Sequence, residues 1–144
     1  MEQTERALAP YSILRNGTVP PGGWLRAIRE SLGRSLRVQA GMLGITSATL
    51  HKSESAEVDG RISLAQLRKL AAGLDCEVVY ALVPRKPLHE VVEERAEWIA
   101  RSEVMGVAHT MSLEDQEPPG EFVKRKIFER RQALLSGPWS RLWR

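Results

Sequence analysis

The apolar positions of the chain change period along its length, and each change predicts a different element. From Trp24 the spacing is helical. Trp24, Leu25, Ile28 and Leu32 line one face, Arg26, Arg29 and Glu30 lie on the other side, and Gly33 stops the run. Ser35 can cap a second helix with Leu36, Ala40 and Leu43 on one face, ended by Gly44. Thr46 caps a third, with Ala48, Leu50 and Glu54 inside it. After the polar loop Glu57-Val58-Asp59-Gly60, Ser63 caps a fourth, with Leu64, Leu67, Leu70, Ala71 and Leu74 as its buried face. The period then falls to two. Cys76, Val78, Tyr80 and Leu82 alternate with Glu77, Val79, Ala81 and Val83 until Pro84, and the β-branched content predicts a strand.

Helical spacing returns after Pro87. A long helix over roughly 88–111 carries Leu88, Val91, Val92, Ile99 and Val107, with Glu90, Glu93, Glu94 and Glu97 on its other face. Pro118-Pro119-Gly120 breaks the chain, and a last helix over 121–135 turns Phe122, Val123, Ile127 and Leu134 inward. Gly137-Pro138 stops it before Trp139 and Trp143. Upstream, a short helix over 2–14 precedes Asn16-Gly17, Pro20-Pro21 and Gly22-Gly23, which is turn and linker chemistry. The expected organisation is an N-terminal arm over 1–22, a domain of four short helices over 23–75, a strand over 76–84 and a C-terminal helical region over 85–144.

The lone strand needs a partner, because unpaired ladder groups are costly when buried. The expected remedy is the same strand of another copy across a two-fold axis, with Val78, Val79, Tyr80, Ala81 and Leu82 as the dimer strand. One more buried helix is the alternative reading of that run. The fold class expected is mostly α: a helix-turn-helix bundle, one short dimerisation strand and two C-terminal helices.

Composition narrows the function classes. A chain of 144 residues suits one compact domain with an appendage and is too short for a barrel or a two-domain dinucleotide enzyme. Its one cysteine, Cys76, excludes an intramolecular disulfide and fits a reducing compartment. With no apolar run of about 18 residues and no signal-peptide layout at the start, a cytoplasmic protein without membrane contact is expected. His51, His89 and His109 leave little for a metal cage. No cofactor is expected, and no nucleophile–base pair or phosphate loop marks an enzyme. The net charge of +3 hides blocks: residues 1–85 hold 11 basic and 8 acidic side chains, 86–121 hold 3 and 9, and 122–144 hold 7 and 1.

The strongest signal is SLRVQAGMLGITSATLHKSE, residues 35–54: a capped helix with a small residue at its centre, a glycine turn, a capping threonine and a second helix. Ala40 lets the helices cross closely and Gly44 supplies the turn. Four helices in this order over residues 23–74 resemble the Cro/C1-type (XRE) family of DNA-binding domains, which implies a lambda-repressor-like bundle. In that family the third helix enters the major groove. The resemblance turns Ser47, Ala48, Thr49, His51 and Lys52 toward the bases and keeps Leu50 and Ile45 in the core. Arg34 and Arg37 flank the second helix where the family touches phosphates, with Thr46, Arg26 and Arg29 thickening that edge. The chemistry suits these roles. Hydroxyls and imidazole exchange hydrogen bonds with base edges, methyls of Ala48 or Thr49 meet thymine methyls, and Lys52 reaches a guanine or a phosphate. Two positions depart from the pattern: Gln39 stands where an aliphatic core residue is usual, and Leu36 where a polar phosphate ligand is common. A half-residue shift in the buried face of the second helix would reconcile both.

GWLRAIRESLGRSLR, LDCEVVYALVPR and HTMSLEDQ together resemble the family called mobile mystery protein A, over residues 23–116. The resemblance implies an XRE-type regulator beside a Fic-domain protein, hence an autorepressor and antitoxin of a Fic-type toxin. It would be a homodimer on a palindromic double-stranded DNA operator. Within HTMSLEDQ, His109, Glu114 and Asp115 invite a metal reading, but the five-residue spacing of His109 and Glu114 and the want of a third ligand argue against it. Thr110 and Glu114 match the Ser/Thr-to-Glu spacing of Fic inhibitory helices, with Asp115 replacing their last position, and are candidate partner-contacting residues. A helix C-terminus with polar contacts to the bundle explains the same residues. Lys124-Arg125-Lys126 and Arg130-Arg131 fit phosphates, a partner's acidic face, an intramolecular pairing with Glu90–Glu97 or a solvated helix, with charge pairing favoured over DNA. Trp139, Leu142 and Trp143 would fasten that helix. The alternative function is a protein-only inhibitor of a partner enzyme with a vestigial helix-turn-helix.

Overall fold

The computed structural model describes residues 1–113 and 120–144, and the side chains of residues 1–110 and 120–144. The described residues form α1 (Glu2–Leu8), α2 (Trp24–Ser31), α3 (Leu36–Leu43), α4 (Ser47–Val58), α5 (Leu64–Ala72), α6 (Leu88–Leu113) and α7 (Gly120–Ser136). Two 3-10 segments, Ala9–Asn16 and Trp139–Trp143, complete them. The protein is mostly α. The chain divides into two compact units, Ile13–Leu82 and Met1–Ser12 with Val83–Arg144.

In the unit Ile13–Leu82, local chemistry sets the helix ends. Ser35 accepts from the Val38 amide, Thr46 from Thr49 and Ser63 from Gln66, each satisfying a first-turn donor that has no carbonyl partner within its helix. The N-terminus of α2 has no such local cap. Instead Glu57, from the last turn of α4, accepts from the Trp24 and Leu25 amides at 2.7 and 2.8 Å. Gly23 makes room for it with φ 83°, since a Cβ there would stand 2.9 Å from the Glu57 carboxylate. At the other end of α3, Gly44 takes φ 69° and the Ile45 amide closes back on the Ala40 carbonyl at 3.0 Å. Three residues then suffice to turn the chain from α3 into α4.

Leu25, Ala40, Leu50, Leu70 and Leu74 make the core of this unit, with Ile28, Leu36, Leu43, Ile45 and Cys76 packed against it. Trp24 and Leu32, expected on the core face of α2, are half exposed. Gln39 is buried at the position flagged as unusual. Its amide donates to the Gly73 carbonyl at 3.0 Å and its carbonyl accepts from Arg34 at 3.0 Å, so a polar side chain replaces the aliphatic one without an unmet bond. Leu36 packs half-buried against the same core, so no shift of the α3 face is needed.

The run 76–84 is a correction to the expected strand. It has no assigned element, and among the described residues no strand exists. The cause is the absence of a ladder partner among the described residues, where no backbone group from Glu77 to Val83 takes part in a hydrogen bond. Val79, Tyr80 and Leu82 are exposed.

In the other unit, α6 and α7 pack as an antiparallel pair. Val92, Ala96 and Leu142 form the cluster where the C-terminal 3-10 segment seats, with Ile99, Leu134 and Leu135 against it. Ala96 and Ala100 are fully buried, and their small side chains allow close approach. Leu142, not the tryptophans, is the anchor. Trp139 and Trp143 stay largely exposed, while Arg95 donates to the Leu142 carbonyl at 2.7 Å and lies over the rings of Trp98 and Trp143. The segment expected as an arm is split, because residues 1–12 belong to this unit. There Glu5 accepts from the backbone amide of His89 at 3.0 Å and lies 3.1 Å from its Nδ1.

The His89 amide, and then its ring, hold the Glu5 carboxyl below its ordinary value of 4.5. A depressed carboxylate contributes stability that is present above the unfolded value and is lost as pH falls through the folded one. Glu5→Gln is therefore expected to lose less melting temperature than the native chain between about pH 7 and about pH 3. Equal losses in calorimetry would contradict the cap.

Candidate nucleic-acid interface

The exposed face of α4 follows from what its other face buries. Leu50 and Glu54, one turn apart, point inward at 3% and 5% exposure. Ser47, Ala48, Thr49, His51 and Lys52 are left outward, all exposed, over the first two turns. The structure thus gathers all five expected base-reading residues on one solvent-facing surface. Thr49 is partly committed, since its hydroxyl lies 2.8 Å from that of Thr46, whose oxygen also caps the helix. Thr46 is exposed, but its hydroxyl serves the helix end first.

The expected phosphate set divides. Arg37 is exposed on the first turn of α3 and has no ion-pair partner among the described residues. Arg26 is exposed and bonded to Glu30 at 2.8 Å; that hydrogen bond raises the guanidinium above its ordinary value and lowers the Glu30 carboxyl. Arg26 and His51 line the same cleft of about 560 Å³ between α2 and α4. Arg34 is half-buried and turned inward to Gln39 and the Gly73 carbonyl. Arg29 is a correction. At 6% exposure it is bonded through Nε to Glu54 at 2.7 Å and through Nη1 to the Arg34 carbonyl at 2.8 Å, so it cannot reach a phosphate. The spacing carried a signal for this: Arg29 follows Leu25 by four residues and Glu54 follows Leu50 by four, which puts both charges on buried faces. Glu57, which tethers α4 to the start of α2, had no signal, because its bonds join residues more than thirty apart.

Charge separates with the units. Ile13–Leu82 holds nine basic against six acidic residues, while the rest of the chain holds twelve of each. Within the basic unit, Glu54, Glu30 and Asp59 pair with Arg29, Arg26 and Arg61, and Glu57 is spent on helix amides. The outward surface beside α4 therefore keeps Arg37 and Lys52 as cations with no ion-pair partner among the described residues. In the other unit, Arg130 bonds Glu103, and Arg131 reaches Glu93 and Glu97 at 3.3 and 3.5 Å. The acidic and basic blocks of the C-terminal half thus meet within one chain.

Among the remaining expected residues, Val79, Tyr80 and Leu82 are exposed, and Val78 and Ala81 half-buried. Thr110 is exposed, with its hydroxyl donating to the Gly106 carbonyl at 3.1 Å. Glu114 and Asp115 lie outside the described residues. Among the described residues no three His, Cys, Asp or Glu side chains converge as a metal site, and no helix is long and apolar enough to cross a membrane. Comparison with protein-family models, with curated proteins and with solved structures finds no match to this chain.

Proposed function

We propose that the chain is a sequence-specific DNA-binding transcriptional repressor, with α4 in the major groove and Arg37 at the flanking backbone. The observation that carries this reading is the α4 face itself. Five exposed residues able to meet base edges stand on a helix fixed from behind by a buried ion pair and a cap, in the one unit with excess positive charge. Ser47, Thr49 and His51 supply donors and acceptors, Ala48 a methyl, and Lys52 a cation for a guanine edge or a phosphate. Arg26 reaches a phosphate only by exchanging Glu30 for it, and Arg34 and Thr46 serve the fold before the ligand. Two copies on a palindrome would set two such helices one turn of DNA apart. The resemblance to mobile mystery protein A supports autorepression and an antitoxin role toward a Fic-domain partner in the cytoplasm, with Thr110 and Glu114 as contacts; co-purification with the neighbouring gene product tests that part.

A mobility shift with the DNA upstream of the chain's own coding sequence tests the repressor reading. His51→Ala is expected to raise the dissociation constant for that DNA about tenfold and leave scrambled DNA unchanged, while Arg37→Ala weakens both alike. No shift at low salt, or equal losses for both variants on both DNAs, would overturn it.

A further inference from the structure

We propose that Glu57 is a positioning residue for DNA specificity: its bonds to the start of α2 hold α4 at the angle from which His51 meets a base edge. The inference rests on the repressor reading and names how that site is kept selective. Two polar clamps join α2 and α4. Midway along α4, Glu54 holds the Arg29 guanidinium at 2.7 Å. In the last turn, Glu57 gives one carboxylate oxygen to the Trp24 amide and the other to the Leu25 amide, at 2.7 and 2.8 Å. These are the first two amides of α2, which have no carbonyl partner within the helix, and Gly23 has no side chain to cap them. A Cβ at residue 23 would stand 2.9 Å from the Glu57 carboxylate, so a local cap and this one exclude each other. The N-terminus of α2 is thus capped by α4 and not by its own chain neighbours.

One clamp is a pivot, and a second about a turn away fixes the angle. Glu54 and Glu57 are three residues apart on α4, and Leu25 and Arg29 are four apart on α2. His51 stands three residues from Glu54 on the side away from Glu57. The two arms about the Glu54 pivot are therefore equal, about 4.5 Å each along the axis. Slack of about one ångström at Glu57 then displaces His51 by about as much. A hydrogen bond to a base edge weakens steeply over that distance, whereas the long side chain of Arg37 can follow a phosphate. The clamp acts on the opposite wall of the cleft as well, because Arg26 directly follows Leu25 and lines that cleft with His51. Loss of the Glu57 bonds thus weakens binding to a preferred sequence and spares binding to any other.

Fluorescence anisotropy of the full chain on the upstream duplex and on a scrambled one is the test, with thermal unfolding followed by circular dichroism. Glu57→Ala is expected to lower the preference for the upstream duplex about tenfold, to leave scrambled DNA within about twofold, and to lower the melting temperature by about five degrees. The decisive variant adds Gly23→Asp to Glu57→Ala. With the Glu57 carboxylate gone, residue 23 can take the extended backbone of an ordinary cap, and its own carboxylate serves the first turn of α2 and restores the lost negative charge. That double variant is expected to regain most of the melting temperature and none of the preference, because its cap no longer reaches α4. Regained preference in the double variant, unchanged preference in Glu57→Ala, or an equal loss on both duplexes would each overturn the proposal and leave the repressor reading standing. A native chain that does not distinguish the two duplexes would defeat that reading and this inference with it.

Discussion

Glu54→Ala is expected to destabilise the unit Ile13–Leu82 by about 3–5 kcal/mol, the cost of leaving a buried guanidinium without its carboxylate. The side chains of Arg29 and Glu54 are 7% and 6% exposed and joined by bonds of 2.7 and 3.3 Å. Arg29 also donates to the Arg34 carbonyl, so it cannot swing to water without freeing that group as well. Deleting only one partner forfeits the attraction and keeps the desolvation. Replacing both by apolar residues removes both terms, so Arg29→Met with Glu54→Leu is expected to recover most of the loss. Urea unfolding followed by circular dichroism gives both numbers. A loss under about 1 kcal/mol for Glu54→Ala would mean the pair behaves as an exposed one.

The second large effect concerns binding. Arg37→Glu combined with Lys52→Glu is expected to lower affinity for duplex DNA at least about a hundredfold and to flatten its salt dependence, because phosphate contacts release condensed counterions. Both residues are exposed and unpaired among the described residues, so the melting temperature is expected to stay within about two degrees of the native chain. Fluorescence anisotropy over a salt series separates this from unfolding. Unchanged affinity with an intact fold would remove the α4 face from the DNA reading.

How much of this was legible in the sequence depended on whether the cause was local. Ser35, Gly44, Thr46 and Ser63 act within four residues of themselves, and each helix end they mark stands where the spacing put it. The outward residues of α4 came from the family resemblance, and in the structure they are exposed because Leu50 and Glu54 take its inner face. Long-range partners were not. Arg29 looked like one more surface cation until Glu54, twenty-five residues on, claimed it, and Gln39 looked misplaced until Gly73 and Arg34 satisfied its amide. Residues 76–84 carry a strand's alternation correctly, yet alternation states what a segment can pair with and supplies no partner. Among the described residues that partner does not exist.

Selection from a pool of randomised duplex DNA by the full chain, read by sequencing, tests the central claim most directly. The account expects one enriched site made of two inverted half-sites, centres about 10 base pairs apart, with His51→Ala relaxing a defined position in each half. A pool returned with its input composition, or one enriched in the same site by the native chain and by His51→Ala, would contradict it.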